Sequence, residues 1–263
     1  MSSKDISFVS ETSFRKTQWH GFFAETFLFE GKKAEIVIPK EPDRDRNWLF
    51  KMEYWDAFPA REIDLLNRGF HLVYLENETR FATREDCDRK ARFCDYLAER
   101  YGLRNVCVPV GLSCGGAHAV NFAGFYPEKV ACLYLDAPVL NFCDYPGRYD
   151  DRETETVWET EFVKAYPGIT RSTLLDSSWH PIKRAKELVR RKIPVVMLYG
   201  TQDTTVSFNQ NGRLLIDAYA GEPSLMLAVP RMLQGHHPHG EIQDPECIIF
   251  FIINACTKAK NGE

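Results

Sequence analysis

An apolar run ending at Val110 leads into Gly111-Leu112-Ser113-Cys114-Gly115-Gly116, and small residues follow at Ala117, Ala119 and Ala123. The run reads as a strand and the small-residue stretch as a helix. A strand that turns into a helix within a few residues has few backbone solutions. The two elements approach closely, so residues flanking the turn must lack side chains that would clash. Glycines on both sides of Ser113 meet that need, and they place a strand–turn–helix unit near the middle of the 263-residue chain.

Apolar periodicity around this unit predicts strands over 22–29, 34–39, 48–50, 70–75, 106–110, 130–135, 193–199 and 224–229. The first two form a hairpin broken by Gly31-Lys32-Lys33. Helices are predicted over 55–66, along the face Cys87, Ala91, Cys94, Ala98 and Tyr101, over 115–126 and 206–219, and from Asp244 onward. Asp244-Pro245-Glu246 is a start signal: a side-chain acceptor, a proline in the first turn, and an acid near the positive helix end. Pro109 lies inside the strand before Ser113 and cannot donate to the ladder, so a local irregularity is expected there.

After the hairpin, strands and helices alternate. The expectation is an α/β chain, 1–263 as a single domain, with a mostly parallel eight-stranded sheet and helices on both faces. From 141 to 181 no strand is evident. That stretch mixes acids (Asp144, Asp150, Asp151, Glu153, Glu155, Glu159, Glu161) with aromatics, and it is read as an inserted cap.

Composition limits the classes of function. With 44% hydrophobic residues there is enough apolar material for a core, which excludes a mainly disordered chain. A formal charge of -4 argues against nucleic-acid binding through bulk positive charge. The opening MSSKDISFVSET has no apolar run, and no stretch approaches the ~20 apolar residues of a membrane helix, so neither a secretory leader nor a membrane partner is expected. Eight cysteines without a C-x-x-C spacing read as reduced thiols of a cytoplasmic protein. Nothing indicates an oligomer.

A serine on such a turn is a candidate nucleophile, because its oxygen projects above the sheet and the helix start offers free N–H groups, that of Cys114 included, to a developing oxyanion. Its hydroxyl needs a base, and the base needs an orienting acid. Asp203 follows the strand ending at Tyr199, and His236 lies in Gly235-His236-His237-Pro238-His239-Gly240. The chain order Ser113, Asp203, His236 is that of the nucleophile-elbow enzymes. Asp136 is a rival acid, and His237 is a rival base. Three imidazoles within four positions could hold a metal. No acidic or cysteine partner for such an ion is evident nearby, however, so no metal or other cofactor is expected.

These motifs resemble the α/β-hydrolase superfamily, in its prolyl-oligopeptidase and esterase-like branch. The resemblance extends to a bacterial subgroup marked by a tryptophan-rich segment (Asn47-Trp48-Leu49-Phe50-Lys51-Met52-Glu53-Tyr54-Trp55-Asp56-Ala57-Phe58-Pro59), the Ser113 elbow, Asp136-Ala137-Pro138-Val139 and the histidine loop from His236 to His239. It covers roughly 25 to 255. It implies an acyl-enzyme mechanism on carboxylic esters. Because such proteins often accompany carbohydrate-degrading enzymes, it also implies acylated sugars or oligosaccharides as substrates. By position, the second oxyanion donor is expected from the backbone near Lys51. Trp48, Trp158 and Trp179 are candidates to stack on a sugar ring. A peptidase of the same mechanism and a non-catalytic ligand-binding protein remain the alternatives.

Overall fold

The computed structural model describes residues 14–149 and 152–261. The opening segment, from which no leader was expected, lies outside the described residues, as do Asp150 and Asp151 of the acidic stretch. Nine strands form one sheet: β1 Arg15–Trp19, β2 Phe22–Phe29, β3 Lys32–Ile38, β4 Trp48–Lys51, β5 His71–Leu75, β6 Val108–Leu112, β7 Leu133–Asp136, β8 Val195–Gly200 and β9 Met226–Arg231. Their order is β1-β2-β3-β5-β4-β6-β7-β8-β9. The first three strands and β5 pair antiparallel, and from β5 to β9 every pair is parallel.

The expected count of eight is corrected to nine by β1. Its sequence, Arg15-Lys16-Thr17-Gln18-Trp19, is exposed except at Trp19, so no apolar alternation marks it. It exists because β2 offers it an edge to pair with.

Strand residues alternate between two cores. In β8, Val195 and Met197 pack on one face, while Val196 and Leu198 pack on the other. Both faces of these parallel strands are covered, which is why they read as unbroken apolar runs. Helices α1 Ala60–Leu66, α2 Arg84–Tyr101 and α3 Cys114–Phe125 precede the 141–181 segment. The described part of that segment contains only helical turns: α4 Arg152–Val157, continued by a π turn at Trp158–Phe162, then α5 Val163–Ala165 and α6 Arg171–Leu174. Then come α7 Ala185–Arg190, α8 Gly212–Ala218 and α9 Glu246–Asn261. Residues of α2, α3, α7 and α8 fill the first core, and those of α1 and α9 fill the second.

The helix predicted from Trp55 begins only at Ala60, because Tyr54, Asp56 and Phe58 all take left-handed backbone angles (φ 55°, 66° and 51°). No glycine announces these positions. The helix predicted over 206–219 is shorter, since Asn211 breaks it with φ -126° and ψ -88°. The irregularity expected at Pro109 is present. Cys107 bridges Val130, but the continuous ladder resumes at Val110 with Tyr134, so the register between β6 and β7 slips by one residue across the proline.

Backbone and side-chain bonds close the ends of the 141–181 segment on each other. Ile182 N–H donates to Leu140 O at 2.9 Å, and Phe142 N–H donates to His180 Nε2 at 2.6 Å. Asn211 Oδ1 accepts both Leu140 N–H and Asn141 N–H at 2.8 Å, which ties the segment to α8. Burial lowers the His180 pKa from 6.5 to about 4, with the nearby Lys183 charge adding to the effect. Burial, aided by Arg46, does the same to His71.

Between pH 6.5 and about 4 the unfolded chain protonates these histidines and the folded chain does not. Stability therefore falls as pH drops through that window, each histidine contributing a slope approaching about 1.4 kcal/mol per pH unit. His180→Gln, which keeps an acceptor but does not titrate, should remove one share of that slope in urea melts at pH 7, 6 and 5. A Cβ added to Gly116 would lie 2.3 Å from Pro138 Cβ and 2.8 Å from Pro138 Cα. Gly116→Ala should cost roughly 1–3 kcal/mol in the same melts.

Candidate active site

The strands β6, β7, β8 and β9 end at Leu112, Asp136, Gly200 and Arg231, so the loops leaving them emerge on one edge of the sheet. Ser113 takes φ 49° and ψ -121° between β6 and α3. The surrounding glycines are required sterically. A Cβ on Gly111 would lie 2.6 Å from Gly115 O, and one on Gly200 would lie 2.1 Å from Gly235 O. The second contact packs the end of β8 against the histidine loop.

His236 Nε2 lies 3.0 Å from Ser113 Oγ, and His236 Nδ1 lies 2.7 Å from Asp203 Oδ2. The Asp203 side chain is 2% exposed. Its other oxygen, Oδ1, accepts the N–H groups of Thr205 and Val206, both at 2.9 Å, which aims the carboxylate. Cys114 opens α3, so its N–H belongs to the first turn, where no intrahelical acceptor exists. Burial pushes the Cys114 thiol up to about 11, which keeps it from acting as a thiolate beside Ser113. Ser113, His236, His237 and His239 line a cavity of about 260 Å³ together with Tyr54 and Tyr145.

Asp136 is placed elsewhere. Its carboxylate lies 3.2 Å from Arg231 Nη2 and 3.2 Å from His239 Nδ1, and it accepts Gly240 N–H at 2.6 Å. Arg231 in turn donates to the carbonyls of Pro238, Gly235 (3.4 Å) and His236 (3.2 Å). The Asp136 and Arg231 side chains are wholly buried. The pair holds the loop that carries His236, and Asp136 makes no contact with that imidazole itself. His237 is exposed and stacks on Phe58, with ring centroids 5.5 Å apart. Burial and the neighbouring His236 and His239 lower its pKa.

Four expected positions are corrected. Lys51 lies inside β4, paired with Tyr74 on one side and Val110 on the other, so its backbone belongs to the sheet. Its buried ammonium pairs with Glu62 and donates to Ala57 O at 3.0 Å. The residue that lies against the elbow is Glu53, whose backbone nitrogen would be 3.5 Å from a Cβ on Gly115. Trp48 is in the first core, its Nε1–H donating to Arg104 O at 2.8 Å. Trp158 stacks on Phe162 under the Arg171 guanidinium. Trp179 stacks on Tyr166 at 3.8 Å. None of the three tryptophans lines the cavity, because each ring is used to pack the chain against itself.

The structure adds a partly buried polar chain beside the elbow. Asn77 Nδ2 donates to Met52 O at 2.7 Å and to Glu53 Oε2 at 2.6 Å, and Lys90 donates to Asn77 Oδ1. This chain fixes the segment beside the elbow. A signal for it existed: Lys90 is three residues after Cys87 and four before Cys94, on the apolar face of α2.

The strand order and the elbow define the α/β-hydrolase fold, and comparison with solved structures shows the same fold. A puromycin-hydrolyzing peptidase of Mycobacterium tuberculosis superposes with a TM-score of 0.65 at 12% identity, over 94% of this chain and 40% of that one. Dipeptidyl peptidase 4 of Porphyromonas gingivalis gives 0.62 at 13%, over 92% and 35%. An S-formylglutathione hydrolase of Agrobacterium tumefaciens gives 0.56 at 13%, over 94% and 99%. The chain thus spans well under half of the two peptidases and matches the hydrolase nearly end to end. No family model and no curated protein matches the sequence. Among the described residues, no helix is long and apolar enough to cross a membrane.

Arg231→Met tests the loop's anchor. It leaves the buried Asp136 without its cation, and should cost about 3–5 kcal/mol. Amide exchange should rise across 235–240 before it rises in β6. Unchanged exchange in that loop would show that Arg231 does not hold it.

Proposed function

We propose that this protein is a serine hydrolase that cleaves carboxylic esters by way of an acyl-enzyme. The observation that carries the reading is the unbroken relay from Ser113 Oγ through His236 to Asp203, opening onto a small cavity. As Ser113 Oγ bonds to the acyl carbon, its proton passes to His236 Nε2. Asp203 accepts from Nδ1–H, fixing the tautomer and stabilising the imidazolium. The carbonyl electron pair moves onto oxygen, which the Cys114 N–H receives. Return of the pair expels the alcohol, which takes the proton from Nε2. Water, deprotonated by the same nitrogen, then attacks the acyl carbon and frees Ser113 with release of the acid.

At about 260 Å³ the cavity is smaller than most drug-sized ligand sites, which favours short acyl groups. Acylated sugars come from the sequence resemblance alone, since none of the tryptophans that would stack on a sugar ring lines the cavity. A cytoplasmic location rests on eight cysteines that are all free thiols. A second reading, an aminopeptidase, is favoured by one observation: Glu153 of α4 lines the cavity and could receive a substrate ammonium. Two of the structural neighbours are named as peptidases.

Wild type should react with a fluorophosphonate probe and turn over p-nitrophenyl acetate faster than the octanoate. Ser113→Ala should do neither. Asp203→Asn should lower kcat on the order of 10⁴-fold, as loss of a triad aspartate does. Asp136→Asn should act mainly on stability. An inert, unlabelled wild type rejects the hydrolase. Turnover of alanyl p-nitroanilide in preference to acetate, lost in Glu153→Gln, selects the peptidase.

A further inference from the structure

The three histidines of the loop face one cavity, and their rings are mutually perpendicular. Centroids are 4.7 Å apart for His236 and His237, 5.0 Å for His236 and His239, and 4.8 Å for His237 and His239. One ring nitrogen from each lies within 4.8 Å of one from each of the others. The fold brings a carboxylate into a hydrogen bond behind one ring and a second carboxylate close to another. Asp203 faces His236 Nδ1 at 2.7 Å, and Asp136 faces His239 Nδ1 at 3.2 Å. The carboxylate bonded to His236 Nδ1 leaves the Nε2 of that ring unprotonated and outward, which is how metal-ligating histidines are oriented in known sites. Phe58 stacks on His237 and meets His239 edge-on, which sets the third ring against the other two.

From this arrangement we infer that His236, His237 and His239 form a binding site for a borderline divalent transition ion, with Zn²⁺ as its probe, and that the ion silences Ser113. Three imidazoles with an open fourth position suit Zn²⁺, which sits about 2.0–2.1 Å from each nitrogen. Rings whose nitrogens are spread over up to 4.8 Å must close on such an ion. The contact that yields is the one between His236 Nε2 and Ser113 Oγ, since the lone pair that accepts the serine proton is the one donated to the metal. The silencing half of the inference rests on the hydrolase reading; the binding half does not.

Calorimetry with Zn²⁺ and the Ser113→Ala protein tests binding without any need for activity. One ion per chain is expected. His237→Ala, in the same background, should weaken it at least 10-fold, and His239→Gln should do likewise with melting temperature as a folding control. Co²⁺ in place of Zn²⁺ should give a tetrahedral visible spectrum without thiolate charge-transfer bands, separating this site from the partly exposed Cys143 and Cys247. In wild type, Zn²⁺ should abolish fluorophosphonate labelling and EDTA should restore it. In His237→Ala, labelling with Zn²⁺ should stay close to its own metal-free level. Absent stoichiometric binding, unchanged affinity in both variants, or thiolate bands would each overturn the site. A protein that binds Zn²⁺ through these histidines but never labels keeps the site and rejects the hydrolase.

Discussion

A single ion pair with no exposed surface, Asp136 with Arg231, joins the carboxyl ends of β7 and β9 and governs the edge where the chemistry is proposed. Such a pair is a poor source of net stability, because removing both charges from water costs about as much as their attraction returns. What it supplies is direction. Arg231 has more donors than one carboxylate can use, and its two terminal nitrogens also donate to the carbonyls of Gly235, His236 and Pro238. The loop is thereby held from behind, by groups that cannot relax into solvent. His236 is left with both ring nitrogens facing forward, one to Ser113 and one to Asp203.

The same logic of support from behind recurs on the other wall. Lys51 and Glu62 pair under the turn at 53–59, and the Lys90–Asn77 contact fixes Met52 and Glu53. That turn holds three left-handed residues in alternation, each costing of order 1–3 kcal/mol when the residue is not glycine. A backbone so disfavoured persists only where neighbours over-determine it. The buried ammonium groups at 51 and 90 do so, and they place Tyr54 and Phe58 at the cavity.

How much of this could be read from the sequence depends on which constraints are local. Ser113 was legible because its turn demands glycines within two positions, and the demand is visible in six letters. The parallel strands were legible because burial on both faces writes them as unbroken apolar runs. The irregularity at Pro109 was legible because a missing N–H needs no knowledge of the partner strand. By contrast, β1 carries no apolar signal, since an exposed edge strand is specified by its neighbour. Lys51 failed as an oxyanion donor because a strand's end is set by its partners, and Tyr74 and Val110 extend the ladder over it. The tryptophans failed because an aromatic ring is as useful for packing as for stacking on a ligand, and composition cannot tell the two apart.

The histidine loop shows why the separation of a base from a ligand is not a property of the residue. An imidazole becomes a general base when one nitrogen is held protonated by a carboxylate and the other is left with its lone pair toward a hydroxyl. It becomes a metal ligand under the same two conditions. His236 meets both through Asp203, and His239, whose Nδ1 lies 3.2 Å from the Asp136 carboxylate, opens on the same cavity. What separates the two roles is the number of imidazoles within reach of one point. A loop with one histidine can only serve the serine, whereas this loop brings three together. The nearest competitor for the lone pair of His236 is therefore a cation, and the Ser113 hydroxyl holds that lone pair only while no ion takes it.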